Sequence, residues 1–437
     1  MGMLGCWVGV CLSCAIAAAS PSEARFLSLD EAREILTAFG RTEDAAAWDA
    51  WIKTQDRDVR ARIERGVEDS ISNLVIYGTS FTKLPRLPAP EAAASSNGEL
   101  VPSARDRVRD AAAALAHPGT NERLRFASEY LAKRAIHAKD IEAVLANNLR
   151  RFAIEQRGYQ EKLKQAAANG EQETLFVRST LFEERGLSVD TSLLPNYAIE
   201  DTLAAMLRKN ALPPRIRSIA VIGPGLDFAD KRDGYDFYPL QTIQPFAILD
   251  SVIRLGLADP SGVRVVAFDL NPAVIAHLRN AALKARAGTQ YTVQLPRDGG
   301  ADWTPAAIAY WEHFGEQIGS PAVPAMAPKG LIVRAVAVHT KYASRIESRD
   351  LNVVGQVLDG EAFDLVVATN ILVYYDRFQQ ALAMTSIARM MRPGGVFLSN
   401  TVLPAQRPSA LEYLGRRSVT YSASGGYGDD IVAYRRK

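Results

Sequence analysis

Two glycines end an apolar run in the middle of the chain and could let a ligand approach the backbone. The run RSIAVIG covers residues 217–223 and continues as PGLDFAD, which places Gly223 and Gly225 directly after a predicted strand. Glycine has no side chain to obstruct a ligand at such a position. A dinucleotide-binding fingerprint requires a third glycine where this chain has Phe228. The pair therefore predicts close contact with a ligand without identifying that ligand.

Asp269, near the end of the next predicted strand, RVVAFDL (264–270), is a candidate ribose ligand. A carboxylate there can accept hydrogen bonds from both ribose hydroxyls. It follows the glycines by about 40 residues rather than the roughly 20 of a dinucleotide site, because a long loop intervenes. The alternative is a helix N-cap, since Asp269 or Asn271 before Pro272 would suit that role. Ligands of open α/β sheets bind at the carboxyl ends of strands, which favours ribose binding.

Asn370 interrupts the apolar stretch FDLVVATNILVYYD, residues 363–376. The first half predicts a buried strand, and the second half is aromatic and leads into helical sequence. Asn370 is therefore either an ordinary turn residue between a strand and a helix or the rim of a ligand site.

The predicted secondary structure that must position these residues changes near residue 211, from mainly helical to alternating strands and helices. Residues 25–210 have mostly helical spacing, with a flexible proline-, alanine- and serine-rich loop near residues 84–102. Residues 211–437 alternate short β-rich runs with helical ones, which is typical of a parallel α/β sheet. The predicted strands are 217–223, 264–270, 331–338, 363–369 and 395–402. Two further β runs, SVTYSA and DDIVAYR, predict an antiparallel hairpin at the edge of the sheet.

Composition and charge exclude several classes of protein. The chain has 437 residues, of which 48% are hydrophobic and 23% are charged, as in ordinary globular proteins. The 51 basic and 49 acidic residues give a net charge of +2, so no nucleic-acid partner is indicated.

The metal-ligating and nucleophilic residue types are few and scattered. All three cysteines lie within the first fifteen residues, and the five histidines are isolated from one another. We therefore expect no disulfide framework, no cysteine nucleophile and no metal site in the folded part of the chain. The sequence also lacks a P-loop and a G-x-S-x-G elbow.

The first 24 residues resemble a signal peptide or a membrane anchor. Residues 3–19 hold an apolar core that ends in small residues, but no lysine or arginine precedes them. Cleavage would imply export. An uncleaved anchor would leave the body on the cytoplasmic side, because Arg25 and Arg33 follow the apolar segment. A gene start placed too far upstream would leave the protein in the cytoplasm. Membrane association is predicted only through residues 3–19.

Several pieces of the second half, taken in order, resemble a known family. They are the glycine pair, the acid after the second strand, RDL at 349–351, FDLVVATNILVYYD at 363–376 and RPGG at 392–395. This order is similar to that of class I S-adenosylmethionine-dependent methyltransferases. The last two pieces are most similar to the chemotaxis-receptor methyltransferase group. The resemblance implies a Rossmann-like α/β sheet, mostly parallel, that binds S-adenosylmethionine without a metal.

The resemblance also implies roles for the residues that would hold the nucleoside. Asp269 would bind the ribose, with Leu270 beside the adenine. Asp350 and Leu351 would contact the edge and face of the adenine.

The methionine portion would lie nearer the first strand. Gly223 and Gly225 would pass beneath it, and Asp227 would stand near its amino group. Thr369 and Asn370 would border the methionine portion and the methyl group.

The chain departs from the chemotaxis-receptor group in several places. That group has an arginine immediately before the asparagine, and this chain has Thr369. An insertion within residues 288–349 carries Trp303 and Trp311. These differences indicate an acceptor other than a receptor glutamate.

Three functions follow from these patterns. The first is methyl transfer to an unidentified acceptor, with Tyr238, Tyr374 and Tyr375 as candidate catalytic residues or, alternatively, as core tyrosines with solvated hydroxyls. The second is a non-catalytic protein, exported or membrane-associated, that retains the fold. The third is an NAD-dependent oxidoreductase, against which the missing third glycine argues.

Overall fold

The computed structural model describes residues 23–170, 177, 185–187, 190–229 and 236–437. The predicted signal peptide or anchor, residues 1–24, lies outside these ranges except for its last two residues, and export stays a prediction. Among the helices described, none is both long and apolar enough to cross a membrane.

The centre of the molecule is a seven-stranded sheet. Its strands are β2 (Ser218–Ile222), β3 (Arg264–Asp269), β7 (Ile346–Asp350), β9 (Phe363–Ala368), β10 (Met391–Ser399), β11 (Leu411–Thr420) and β12 (Gly428–Arg436). They lie in the order β11-β12-β10-β9-β2-β3-β7. Every pairing from β10 to β7 is parallel, whereas β12 runs antiparallel to both β10 and β11. The predicted α/β Rossmann-like fold and its C-terminal antiparallel hairpin are confirmed.

The predicted strand 331–338 forms, but it lies outside the parallel sheet. It is β6 (Leu331–Val338), the middle strand of an antiparallel sheet with β4 (Tyr291–Asp298) and β5 (Gly319–Pro321). The edge of the main sheet is instead β7, which the sequence analysis missed. Only Ile346 of β7 is fully buried, so this edge strand lacks the apolar run that marks a central strand.

Helices cover both faces of the sheet and form a separate group at the N-terminus. They are α1 (Leu29–Ala38), α2 (Ala45–Tyr77), α3 (Pro102–Ala116), α4 (Glu122–Lys133), α5 (Ile141–Asn169), α6 (Leu194–Arg208), α7 (Gln244–Arg254), α8 (Pro272–Arg286), α9 (Pro305–His313), α10 (Thr340–Ala343) and α11 (Arg377–Met390). Ser28 and Glu31 form a capping box at α1, which satisfies backbone donors at its first turn. A short two-stranded sheet joins β1 (Ala24–Phe26) to β8 (Gln356–Leu358).

The 33-residue helix α2 links the N-terminal helices to the sheet. Trp48, Ile52 and Val59, in its first half, belong to the hydrophobic core on one face of the sheet, together with residues of α1 and α11. Its second half, from Val67 to Tyr77, packs instead with α3, α4 and α5. Helix α2 is therefore one continuous element that joins the N-terminal helical group to the sheet.

Two segments pack differently from what their positions in the sequence predicted. Helix α6, within the region predicted to be a separate helical domain, packs in the core on the other face of the sheet, where Leu203 is fully buried. The loop near residues 84–102 contains the 3-10 turn Pro90–Ala93, and its Leu87 and Leu100 are buried against α3 and α5. Its small and apolar residues thus join a core rather than form a free linker.

Candidate functional site

A cleft of about 1230 Å³ lies at the carboxyl ends of β2, β3, β9 and β10. From β2 the chain moves outward to β3 and β7, then returns to form β9 and β10 on the other side of β2. The boundary between β2 and β9 is therefore the topological switch point, where ligands of open α/β sheets bind. The glycine pair, Asp269 and Asn370 all line this cleft, as their positions after strands predicted.

Gly223 and Gly225 form the turn that leaves β2, and both have left-handed backbone angles, with φ of 67° and 64°. A Cβ atom at Gly223 would come within 2.1 Å of the side chain of Ile371, which packs directly against the glycine. Both the backbone angle and the contact exclude a larger residue there. The turn is thus shaped to bring backbone atoms against whatever occupies the cleft.

The Asp269 carboxylate lies at the end of β3 and is held by backbone donors. Its Oδ1 accepts a hydrogen bond from the amide of Asn271 at 2.8 Å, and the backbone amides of Gly225 and Leu270 also bind the carboxylate. Burial raises the pKa of Asp269 to about 6, and the charge of Asp350 acts in the same direction. A half-buried carboxylate at this position, fixed through its backbone contacts, is suited to accept hydrogen bonds from a ligand.

The helix N-cap role, which was the alternative for Asp269, belongs to Asn271, two residues later. Asn271 is the N-cap of α8, because its Oδ1 accepts a hydrogen bond from the amide of Ala273 at 2.9 Å. Asp269 is not used as the cap. The Nδ2 atom of Asn271 is buried beside the cleft and has no hydrogen-bond partner among the described residues.

Asp227 lies on the opposite side of the glycine turn in a buried polar group. Its Oδ2 accepts hydrogen bonds from the Tyr238 hydroxyl and from Gln241 Nε2, both at 2.8 Å. Tyr238 therefore uses its hydroxyl to orient Asp227, and this contact fits a positioning role better than that of a base.

Arg123 of α4 fixes the backbone around this group. Its fully buried guanidinium donates to the carbonyls of Phe228 and Tyr238, and to that of Asp227 at 2.9 Å. It also stacks over the Tyr238 ring at 4.7 Å. The helical region thus positions residues of the cleft, a contact between distant parts of the chain that no local sequence pattern marks.

The two polar residues that follow β9, Thr369 and Asn370, each form a hydrogen bond with a side chain from another part of the chain. Thr369 is buried, and its Oγ1 accepts a hydrogen bond from Gln244 Nε2 at 2.7 Å. Asn370 has a left-handed φ of 59°. It exchanges hydrogen bonds with Asn400, which follows the adjacent strand β10. Both residues line the cleft, with Asn370 exposed at its rim and Thr369 buried.

Leu270 and Leu351 line the cleft on the β3 side, as the resemblance implied, but Asp350 does not. The Asp350 carboxylate accepts two hydrogen bonds from Arg60 of α2, at 2.6 and 2.8 Å. This ion pair ties α2 to the end of β7. We therefore leave Asp350 out of the ligand site.

The candidate tyrosines Tyr374 and Tyr375 also line the cleft, and both are buried. Burial raises the pKa of Tyr375 well above its usual range, which disfavours its phenolate at neutral pH. The carbonyl of Tyr374 accepts a hydrogen bond from Arg62 of α2 at 2.9 Å. The geometry favours the alternative that these two residues are core tyrosines.

Three parts of the cleft wall are not predicted from the sequence. Helical-region residues contribute Ile63 and Tyr159, the insertion contributes Trp303, and the hairpin loop after β11 contributes Tyr427. Asn400 could have been found, since it follows β10 as Asn370 follows β9. The other residues carry no comparable signal because each reaches the cleft through tertiary packing.

In the part of the chain that the structure describes, the charged side chains of the cleft wall all have the same sign. Among the described residues that line it, none is a lysine, arginine or histidine. Seven are aspartates: Asp190, Asp227, Asp269, Asp298, Asp302, Asp429 and Asp430. The wall therefore favours a ligand with positive charge.

No protein-family model and no curated protein matches the chain. Among solved structures, the chain is similar to the N-methyltransferase NodS from Bradyrhizobium japonicum WM9, with 14% identity, a TM-score of 0.28 and coverage of 55% of this chain and 97% of that one. It is also similar to a TehB-like SAM-dependent methyltransferase from Corynebacterium glutamicum ATCC 13032 Kitasato, with 10% identity, a TM-score of 0.24 and coverage of 65% and 99%. Similarity at this level concerns the fold alone.

Proposed function

We propose that the cleft binds S-adenosylmethionine and that the protein transfers its methyl group to an acceptor in the same cleft. The observation that carries this proposal is the meeting of Gly223, Asp269 and Asn370 at the switch point of the sheet. When bound, the cofactor supplies a methyl group already activated on a sulfonium. The chain then needs to provide alignment and exclusion of water rather than a catalytic triad.

The side chains at the β3 end fit a nucleoside. The Asp269 carboxylate would accept the ribose hydroxyls, and the unpartnered Nδ2 of Asn271 is a further donor beside it. Leu270, Leu351 and Val353 supply an apolar wall for the adenine. Val353 and Leu351 are almost fully buried, so the adenine would be shielded from water.

The other end of the cleft fits the amino-acid part of the cofactor. The glycine turn at 223–225 lets the backbone approach closely, and the Asp227 carboxylate would attract the ammonium group. Asn370 at the rim would lie near the transferred methyl group. The hydrogen bond from Gln244 holds Thr369 where the chemotaxis-receptor group has arginine. We accordingly propose an acceptor other than a receptor glutamate.

Two features disfavour the NAD alternative. Phe228, where a dinucleotide site has its third glycine, is fully buried and packs against Phe126 with ring centroids 5.2 Å apart. The next described helix, α7, begins only at Gln244, so no helix N-terminus directly follows the glycine turn to receive a pyrophosphate.

Thermal unfolding in the presence of candidate ligands tests this proposal. S-adenosylhomocysteine at 100 times its dissociation constant should stabilise the protein by about 2.7 kcal/mol, which raises Tm by a few degrees. NAD at the same concentration should leave Tm unchanged. A shift with NAD alone would replace the proposal with the oxidoreductase alternative.

A further inference from the structure

The cleft has more room than one small ligand requires. Its volume of about 1230 Å³ exceeds the roughly 300–1,000 Å³ of a typical small-molecule pocket. The residues assigned above to the cofactor lie after β2, β3, β7 and β9. The remaining wall includes the residues after β10, the loop before β12 and the insertion around Trp303. This second half is where an acceptor would bind beside the cofactor.

Asp429, at the start of β12, is the best-placed carboxylate in this half. It is half-buried, and its Oδ2 accepts a hydrogen bond from the Tyr421 hydroxyl at 2.6 Å. The Asn400 side chain also faces this carboxylate. Burial raises the pKa of Asp429, so its carboxylate is a better proton acceptor than an exposed one.

Asn400 connects Asp429 to the rim where the methyl group would be presented. Its Nδ2 donates to Asn370 Oδ1 at 2.8 Å, and its own Oδ1 accepts from the Asn370 amide at 2.8 Å. The three side chains form one continuous group from the end of β9 to β12. A ligand atom at the Asn370 rim would therefore lie within the electrostatic reach of Asp429.

The rest of the wall selects for a cation. The described lining residues include acids and no basic side chain, so they attract a cationic acceptor more strongly than an acceptor carboxylate. Tyr427 adds aromatic surface, which attracts ammonium groups through cation–π interactions, whereas Arg297 already lies over the Trp303 ring at 5.9 Å.

We propose, building on the function proposed above, that the acceptor is an amine and that Asp429 is the carboxylate that binds its ammonium form. The ammonium gives one proton to the Asp429 carboxylate and becomes a neutral amine. The nitrogen lone pair then forms the bond to the methyl carbon as the carbon–sulfur bond breaks. That electron pair stays on sulfur, which becomes a neutral thioether, and the product leaves as a methylated ammonium.

Sinefungin, in which a carbon bearing an amine replaces the methylated sulfonium, tests this inference without knowledge of the natural acceptor. Its ammonium occupies the position of the methyl group. By calorimetry, the wild-type protein should bind sinefungin at least tenfold more tightly than S-adenosylhomocysteine. Asp429→Asn should remove this advantage and leave the affinity for S-adenosylhomocysteine unchanged.

Asp259, which does not line the cleft, provides a control. Its carboxylate accepts a hydrogen bond from Ser261 and lies 2.6 Å from Arg215, so Asp259→Asn should keep the preference for sinefungin. Equal affinity of the wild-type protein for the two ligands would overturn the inference while leaving the proposed function intact. An equal loss of both ligands in Asp429→Asn would show a structural role and would also overturn it. Failure of the wild-type protein to bind S-adenosylhomocysteine would instead refute the proposed function itself.

Discussion

Asn400 and Asn370 bind each other across the ends of two neighbouring parallel strands. Asn400 Nδ2 donates to Asn370 Oδ1 and the Asn370 amide donates to Asn400 Oδ1, both at 2.8 Å. Asn370 has a left-handed φ of 59°, a conformation that asparagine tolerates better than most residues. The pair therefore holds a rim residue in a conformation that it would otherwise seldom adopt, next to the glycine turn.

Replacement of Asn370 by alanine should weaken the binding of S-adenosylhomocysteine about tenfold, or about 1.4 kcal/mol. The change removes a side-chain hydrogen bond and forces alanine into the left-handed region. Asn210→Ala is the control, because Asn210 also has a positive φ, of 52°, but does not line the cleft. Calorimetry should show unchanged affinity for the control, and an equal loss in both variants would contradict a role for Asn370 in binding.

Asp269→Asn should stabilise the empty protein while it weakens cofactor binding. The pKa of Asp269 is raised from 3.8 to about 6, so its charged form is disfavoured by folding. Folding takes up a proton between these two values, and the resulting destabilisation is fully present above pH 6. Because the carboxylate is partly accessible to solvent, we expect a gain of roughly 1–2 kcal/mol in the free energy of unfolding at pH 7.

Denaturant unfolding of wild type and Asp269→Asn measures this gain. Asp49→Asn, at an exposed position of α2, should leave the free energy of unfolding unchanged. A less stable Asp269→Asn variant would mean that the carboxylate is required for folding rather than for a ligand.

Cofactor affinity should depend on pH in the same range. Only ionised Asp269 can accept hydrogen bonds from both ribose hydroxyls with full strength, and its pKa in the empty protein is about 6. Affinity for S-adenosylhomocysteine should be constant above about pH 7 and fall up to about tenfold per unit below pH 6. Calorimetry from pH 5 to pH 8 measures the profile. Asp269→Asn should lack this change, and an identical slope in the variant would assign the titration to another group.

Gly223→Ala should lower the free energy of unfolding more than Gly256→Ala does. Its Cβ would lie 2.1 Å from Ile371 Cδ1, whereas Gly256, with a similar φ of 70°, has no atom within 4 Å of such a Cβ. Both variants meet the cost of a left-handed alanine, so the additional loss of about 1–3 kcal/mol in Gly223→Ala reports the collision. Denaturant unfolding measures both. Ile371→Ala in the same chain should recover part of the loss, and additive effects would contradict this contact.

The sequence predicts the positions of Gly223, Asp269 and Asn370 well because each follows a buried strand. The carboxyl ends of parallel strands meet at one edge, so local patterns suffice to bring the three residues together. The edge strand β7 was missed because it is mostly polar, and β6 was misplaced because its apolar run suits an antiparallel sheet equally well.

The acceptor half of the cleft and the contacts made by the helical region could not be predicted in the same way. Asp429 reaches it because β12 inserts between β10 and β11, and Arg123 reaches Asp227 across 104 residues of sequence. Neither contact leaves a periodic signal, since both depend on how separate elements pack. The ion pair of Arg60 with Asp350 likewise links residues 290 positions apart, so the RDL motif at 349–351 gives no sign of it.

A calorimetric titration with S-adenosylhomocysteine at pH 7.5 tests the central claim most directly. It compares the wild-type protein with Asp269→Ala. We expect the wild-type protein to bind one equivalent with a dissociation constant on the order of 10 µM, about −7 kcal/mol, and Asp269→Ala to bind at least tenfold more weakly. The absence of heat from the folded wild-type protein at ligand concentrations on the order of 1 mM, a level that detects free energies of binding near −4 kcal/mol, would contradict the account.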